Sequence, residues 1–277
     1  QVKQVFGVEM EHVDSLRVYL DAEQLTPAEV AECRREILKQ FGHVGPDSRT
    51  IDRSIRLYMA LKRILVDRGY TMAAVKCMDE MTNSYCSFCL ANSLLNDDSF
   101  VVSCEGDIYA ALTMKILREL SGETALFGDV NHVDHQDRML RIVNCGSMPS
   151  SLAVDRKDVD LQNQYDYLSE AGGAVTVFSV NSFLATGARL FRVRGAMGMV
   201  AFEGETVRRP KEEFAEAREY WPHAYMKLDC DTHALVQNLR SNHMHVCPGH
   251  CLDAIREFCH LVGVELTVPG ETSSRHA

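Results

Sequence analysis

Residues 103–134 read SCEGDIYAALTMKILRELSGETALFGDVNHVD. Two carboxylates stand in this stretch, each at the end of an apolar run. Glu105 follows Phe100-Val101-Val102-Ser103-Cys104, and Asp129 follows Thr124-Ala125-Leu126-Phe127-Gly128. Between them the spacing predicts a helix over about 108–120, closed by Ser121-Gly122. The pattern is strand, helix, strand, with an acid at the C-terminal tip of each strand. If both strands lie in one parallel sheet, the two tips share an edge, where open α/β folds build their sites. Two carboxylates meeting there can bind a divalent cation or divide acid and base duties.

Working outward, Thr26-Pro27-Ala28-Glu29 has the form of a helix start, with a Thr cap, Pro at the first position and Glu at the third. A second helix is expected over 48–68, because Ile51, Ile55, Tyr58, Leu61, Ile64 and Leu65 recur at helical spacing and Gly69 ends it. Residues 72–78 read as a buried strand and 86–95 as a short apolar helix, while 1–21 read as extended or loop. Beyond residue 135 the character changes. Strands are expected over 140–145, 174–180, 186–193, 198–202, 242–247 and 264–268, and helices over 210–220, 231–240 and 250–262. No long helix separates the run of strands from 174 to 202, which favours antiparallel pairing. The fold class expected is therefore α/β: a parallel α/β layer over 1–135, then a β-rich, largely antiparallel domain with peripheral helices over 136–270, and a flexible tail over 271–277.

Composition narrows the function. With 46 % apolar and 25 % charged residues the chain is globular in type. A formal net charge of −10 argues against nucleic acid as a partner, since that affinity rests on Lys and Arg neutralising phosphates. No apolar run approaches the roughly 20 residues that span a bilayer, and no signal peptide opens the sequence. The ten cysteines are scattered through apolar segments, which fits reduced core residues and a cytoplasmic location. Cys86 and Cys89 form a lone CxxC, for which zinc or redox chemistry is one reading and buried helix packing the plainer one. The first residue is Gln, as in a chain that starts after processing or within a longer protein.

A third polar cluster is Ser241-Asn242-His243-Met244-His245. In a strand, His243 and His245 share a face. Both read equally well as core histidines, but one imidazole with Glu105 and Asp129 makes a plausible set for Mn²⁺ or a similar divalent ion. It is a poor set for structural zinc, which prefers four closed N or S ligands. His132, Asp134, His135 and His223, each alone, read as solvated or packed side chains, and Asp107 and Asp137 as capping or surface acids.

The runs AVKCMDE, CLANSLLND, CEGDIYAALTMKILRELSG, FGDVNHVD, NCGSMPSSL, GGAVTVF, WPHAYMKL and SNHMHV, in that order, resemble the L-fucose isomerase-like family, with L-arabinose isomerase more distant. The resemblance covers about 6–270. It implies a Mn²⁺ ion, or Co²⁺ or Mg²⁺ in its place, held by Glu105, Asp129 and His243. It also implies aldose–ketose isomerisation of an open-chain sugar through an ene-diol, with the cation on O1 and O2 and with Glu105 and Asp129 as the catalytic acid and base. Which of the two is the base stays open. Trimers or hexamers with shared sites are implied as well. Members of the family carry a further N-terminal α/β domain, and FGVEMEHVD resembles a segment that follows it. This departure keeps an alternative in view: a non-catalytic carbohydrate-binding or regulatory protein on the same scaffold. Two local departures are VKCMDE, where relatives have Pro before the Glu that corresponds to Glu80, and HVCPGHC after the SNHMH run.

Overall fold

The structure, a computed structural model, describes residues 1–165, 168–214 and 221–271. The N-terminal part is helical: α1 (Val2–Phe6), α2 (Ser15–Glu23), α3 (Pro27–Leu38) and α4 (Ser48–Arg68). The capping box expected at Thr26 forms. Its hydroxyl accepts from the Glu29 N–H at 3.3 Å, and the Glu29 carboxylate accepts from the Thr26 N–H at 2.7 Å. Along α4 the stripe Ile51, Ile55, Tyr58, Leu61, Ile64 and Leu65 is buried, and Gly69 ends the helix in the left-handed conformation. Each such side chain contributes about 1.5–3 kcal/mol by leaving water. Helices α2 and α3 pack on α4, as does α6 (Cys89–Asp97). Residues 2–6 and 15–21 are thus helical, whereas 7–14 are loop as expected. Val2 in α1 and Val18 and Ala22 in α2 are buried, and Asp14 caps α2.

Strand β1 (Met72–Ala74) pairs in parallel with β2 (Val101–Ser103), with α5 (Glu80–Ser84) and α6 between them. Helix α7 (Ile108–Ser121) follows, then β3 (Leu126–Asp134), β4 (Met139–Val143), β5 (Asp160–Asn163), β6 (Ala174–Val177), β7 (Leu184–Val193), β8 (Ala196–Thr206) and β9 (His223–Leu228). The chain ends with α8 (Thr232–Asn238), β10 (His243–Pro248), α9 (Leu252–Val262) and β11 (Glu265–Thr267). Of the helix expected over 210–220, the structure has a 3₁₀ turn at Lys211–Phe214; the stretch 215–220 and the tail from 272 lie outside the described residues.

Among the described residues, six strands in the order β8-β7-β10-β3-β4-β9 pair antiparallel, and β9 returns to β8 through Gly204–Leu228, Glu205–Lys227 and Thr206–Met226. The ring closes as a barrel, and β11 lies parallel on the remaining edge of β8. Strands β5 and β6 form a separate antiparallel pair. Side chains alternate as a two-faced sheet requires. Leu126, Leu140, Ile142, Met226, Met244 and Val246 face the barrel interior and join the core under α4 and α6. Phe127, Ala188, Leu190, Met199, Ala201 and Cys247 form a second core under α7 and α9.

This topology corrects one expectation. The strands that carry the two acids do not share a parallel sheet: β2 pairs with β1, whereas β3 runs antiparallel between β10 and β4. The reason lies in α7, which packs on β1 and β2 and also on β7 and β10. It joins the two layers instead of crossing over within one.

Candidate metal centre

Three elements bring the polar residues together. Glu105 sits in the turn between β2 and α7, with φ +59°, and Gly106 follows at +68°. Two successive left-handed residues make a sharp reversal that a non-glycine residue adopts only at some cost. The turn is braced by Gly106 N–H donating to Val75 O at 3.0 Å, Asp107 N–H to Cys104 O at 3.1 Å and Ser103 Oγ to Asp107 O at 2.8 Å. Asp129 and His243 face each other across the β3–β10 ladder, so their side chains share a face. That is the face of Phe127, whose ring lies 4.6 Å from that of His243.

The ligand atoms of Glu105, Asp129 and His243 all lie within 4.8 Å of one another. His243 Nε2 is 3.2 Å from Glu105 Oε2 and 3.6 Å from Asp129 Oδ1. Asn242 Nδ2 donates to Asp129 Oδ1 at 2.6 Å. The Glu105 side chain is 41 % exposed and that of His243 only 9 %, so the cluster opens on the Glu105 side. Burial pushes the Asp129 carboxyl up to about 6; the His243 charge opposes this and that of Glu105 adds to it. Burial by itself would lower His243, but hydrogen bonds to Asp107 and Glu105, with the charge of Asp129, push it up to about 9. Two carboxylates crowding one imidazole call for positive charge between them. Two O donors and one N donor with an open side suit Mn²⁺, Co²⁺ or Mg²⁺ in type and number.

Asp107, read from sequence as a capping acid, does cap α7, with Oδ1 accepting from Ala110 N–H at 2.9 Å. Its other oxygen, Oδ2, takes His243 Nδ1 at 2.6 Å and Arg189 Nη2 at 2.7 Å. Burial would raise this carboxyl, but the His243 hydrogen bond and the Arg189 charge hold it well below the usual range. His245 is not a fourth member of the cluster. It is fully buried, burial and the Arg189 charge hold it well below its usual pKa, and Arg189 Nη1 lies 3.3 Å from its Nε2. Sequence reasoning missed Arg189, although a lone charge inside the apolar run 184–190 is a readable sign of a buried ion pair.

The remaining candidates are engaged elsewhere. Asp134 accepts from the Gln136 and Asp137 N–H groups of its turn, and the His135 ring stacks on His233 at 4.0 Å. His223 is buried in β9 and stacks on Phe214 at 4.1 Å. Glu80 pairs with Lys76 at the surface, at 3.0 Å. Cys86 lies 3.3 Å from Ser54 Oγ, whereas Cys89 meets Cys145 at 3.9 Å, so the CxxC thiols have separate partners. The ten cysteines are free thiols. No helix among the described residues is long and apolar enough to cross a membrane.

Residues 142–268 match the family model described as L-fucose isomerase, C-terminal domain. A sulfoquinovose isomerase of Clostridium sp. (strain MSTE9) is 28 % identical over 150 residues, which is 53 % of this chain and 34 % of that protein. The sulfoquinovose isomerase of Alkalicoccus urumqiensis is 28 % identical over 195 residues, covering 65 % and 43 %. That of Priestia megaterium (strain ATCC 12872 / QMB1551) is 25 % identical over 205 residues, covering 70 % and 46 %. The chain thus spans less than half the length of these relatives. The matched domain holds His243 and Arg189, while Glu105, Asp107 and Asp129 precede it. By its order of motifs and this domain match, the chain is similar to the L-fucose isomerase family, whose C-terminal domain is matched at residues 142–268.

Proposed function

We propose that this chain carries the metal-dependent catalytic centre of an aldose–ketose isomerase. The observation that supports this most is the convergence of Glu105, Asp129 and His243 within 4.8 Å. These residues would hold one divalent cation, Mn²⁺ or alternatively Co²⁺ or Mg²⁺. When bound, the cation supplies Lewis-acid polarisation of the sugar carbonyl and stabilises negative charge on the ene-diol. The reaction moves one proton from C2 to C1 and one from the O2 hydroxyl to O1 of an open-chain aldose, so it needs groups that take protons and return them. Glu105 and Asp129 are the two groups placed for this. Asp129 faces the cluster across the β3–β10 ladder, opposite His243. Glu105, on the exposed side, is reached by a ligand from solvent.

The substrate in this reading is a free sugar, and the names of the relatives put sulfoquinovose beside fucose and arabinose among those to screen. Assembly into trimers or hexamers belongs to the same proposal. The test is elemental analysis of protein purified without chelator, for the wild type and for a Glu105→Gln/Asp129→Asn double variant, with aldose conversion followed in parallel. About one divalent ion per chain, lost together with turnover in the variant, supports the reading. Equal metal content and turnover in both proteins would sink it.

A further inference from the structure

Behind the three facing groups lies a second set of contacts that is more buried than the first. The side chains of Arg189 and Asp107 are 7 % and 13 % exposed, and His245 is fully buried. A guanidinium donates and never accepts. Arg189 therefore donates to Asp107 Oδ2 at 2.7 Å, and at its other end it faces His245 Nε2 at 3.3 Å, where a neutral imidazole offers a lone pair. Asp107 Oδ2, already accepting from Arg189, also lies 2.6 Å from His243 Nδ1. An ionised carboxylate only accepts, so Nδ1 of His243 carries a proton. When the ring has a single proton, the bare nitrogen is then Nε2, the one that faces Glu105 and Asp129 at 3.2 and 3.6 Å.

We propose that Asp107 and Arg189 are positioning residues, which with His245 fix His243 in the Nδ1–H tautomer and present Nε2 to the cation. The inference rests on the metal reading above for its purpose, not for its geometry. Arg189 makes the direction compulsory, because its donors leave Asp107 no role except acceptor. It also adjusts the charge: three carboxylates and one guanidinium around a neutral His243 sum to −2, the complement of a divalent ion. Partners that orient metal-binding imidazoles in this way typically change metal affinity by about 10–100-fold when removed.

The test separates this role from helix capping. Asn and Ser cap helices about as well as Asp, so α7 keeps its first turn in Asp107→Asn and Asp107→Ser. In Asp107→Asn, if the carbonyl keeps the cap to Ala110 N–H, the amide NH₂ replaces Oδ2 and meets His243 Nδ1 as a donor. The ring can then bond only in the opposite tautomer, with the proton on Nε2. In Asp107→Ser the side chain caps but is too short to reach the ring. Long-range ¹H–¹⁵N NMR of the metal-free protein, at a pH where His243 is neutral, reads the tautomer directly. Calorimetric titration with Mn²⁺ reads the affinity.

The expected results are Nδ1–H in the wild type, Nε2–H in Asp107→Asn and a mixture in Asp107→Ser. Mn²⁺ should bind about 10–100-fold more weakly in both variants; each is first shown to be folded by its metal-free circular dichroism, because loss of the buried counter-charge of Arg189 lowers the melting temperature of both. Wild-type tautomer and affinity in both variants would overturn the inference and leave Asp107 as a cap alone. A wild type that takes up no Mn²⁺, Co²⁺ or Mg²⁺ would refute the metal reading only, since the tautomer test still decides the relay.

Discussion

Gly128 is the residue before Asp129, and adding one methyl group there probes how firmly the barrel fixes that acid. A Cβ on Gly128 would stand 2.4 Å from Ile142 Cγ2, 3.0 Å from Met148 Cε and 3.0 Å from the Val143 carbonyl oxygen. Carbon atoms in good contact sit about 3.5–4.0 Å apart, so the overlap with Ile142 exceeds roughly 1 Å. The three neighbours differ in how far they yield. Met148 is unbranched and turns aside at small cost. Ile142 is fully buried and stiff at its first torsion. Val143 pairs with Asp129 in the β3–β4 ladder, so its carbonyl moves only with the strand. Overpacking costs about 1–3 kcal/mol, and Gly128→Ala belongs at the upper end because two of three neighbours are held. Equilibrium urea unfolding should show a lower midpoint at unchanged slope. Ile142→Ala removes the obstructing Cγ2 and by itself costs about 2–5 kcal/mol as a cavity. The double variant should be more stable than the sum of the two by about 1 kcal/mol or more. Additivity within about 0.5 kcal/mol would refute Ile142 as the obstacle. A midpoint for Gly128→Ala equal to that of the wild type would refute the packing argument altogether.

Other consequences are open to direct measurement. Burial, aided by the nearby Arg141 charge, holds His223 down to about 4 from its usual 6.5, so the folded chain binds this proton less readily than the unfolded chain. Its contribution to stability is therefore whole above pH 6.5 and lost as pH falls to 4, a span worth about 3 kcal/mol; His223→Gln should flatten the unfolding free energy over that range, and an unchanged slope would count against it. Thr26→Ala removes the hydroxyl half of the α3 capping box and should cost about 1 kcal/mol in urea unfolding. Ile55→Ala, at a position with no exposure in the middle of α4, should cost about 2–5 kcal/mol; a loss under 1 kcal/mol would mean that the α4 stripe is not core. Because the ten cysteines are free, all should react with a thiol reagent in denaturant, and the buried majority should be slow in the native chain.

The parts of the fold legible in the sequence were those fixed locally. The α4 stripe, the Thr26 box and the Gly69 stop each depend on neighbours within a turn, and each is present. Helices α1 and α2 were hidden because so few of their residues are buried: Val2 in one, Val18 and Ala22 in the other. The pairing of β2 and β3 was misread because strand, helix, strand names an order and not a partner. The nine residues of β3 bury Leu126, Phe127 and Gly128 in succession, yet Leu126 and Phe127 enter different cores. Among the polar residues, Glu105, Asp129 and His243 stood out as functional groups at the margins of apolar runs, and the structure brings their side chains together. Asp107 was half legible. The cap on Ala110 is a contact three residues away, whereas the bond to His243 spans 136 positions, and no local spacing encodes it.

The barrel does not respect the boundary that the family match draws. Residue 142 falls inside β4, and β3, the strand between β4 and β10, lies wholly before it. A fragment cut at 142, or a chimera joined there, would lose a middle stave, leaving β10 without a partner on one side. Open edges of that kind recruit strands from other molecules. Transplanting this domain between relatives should therefore yield oligomers and aggregates unless the junction is moved upstream of β2, where β2, α7 and β3 travel with the strands they hold.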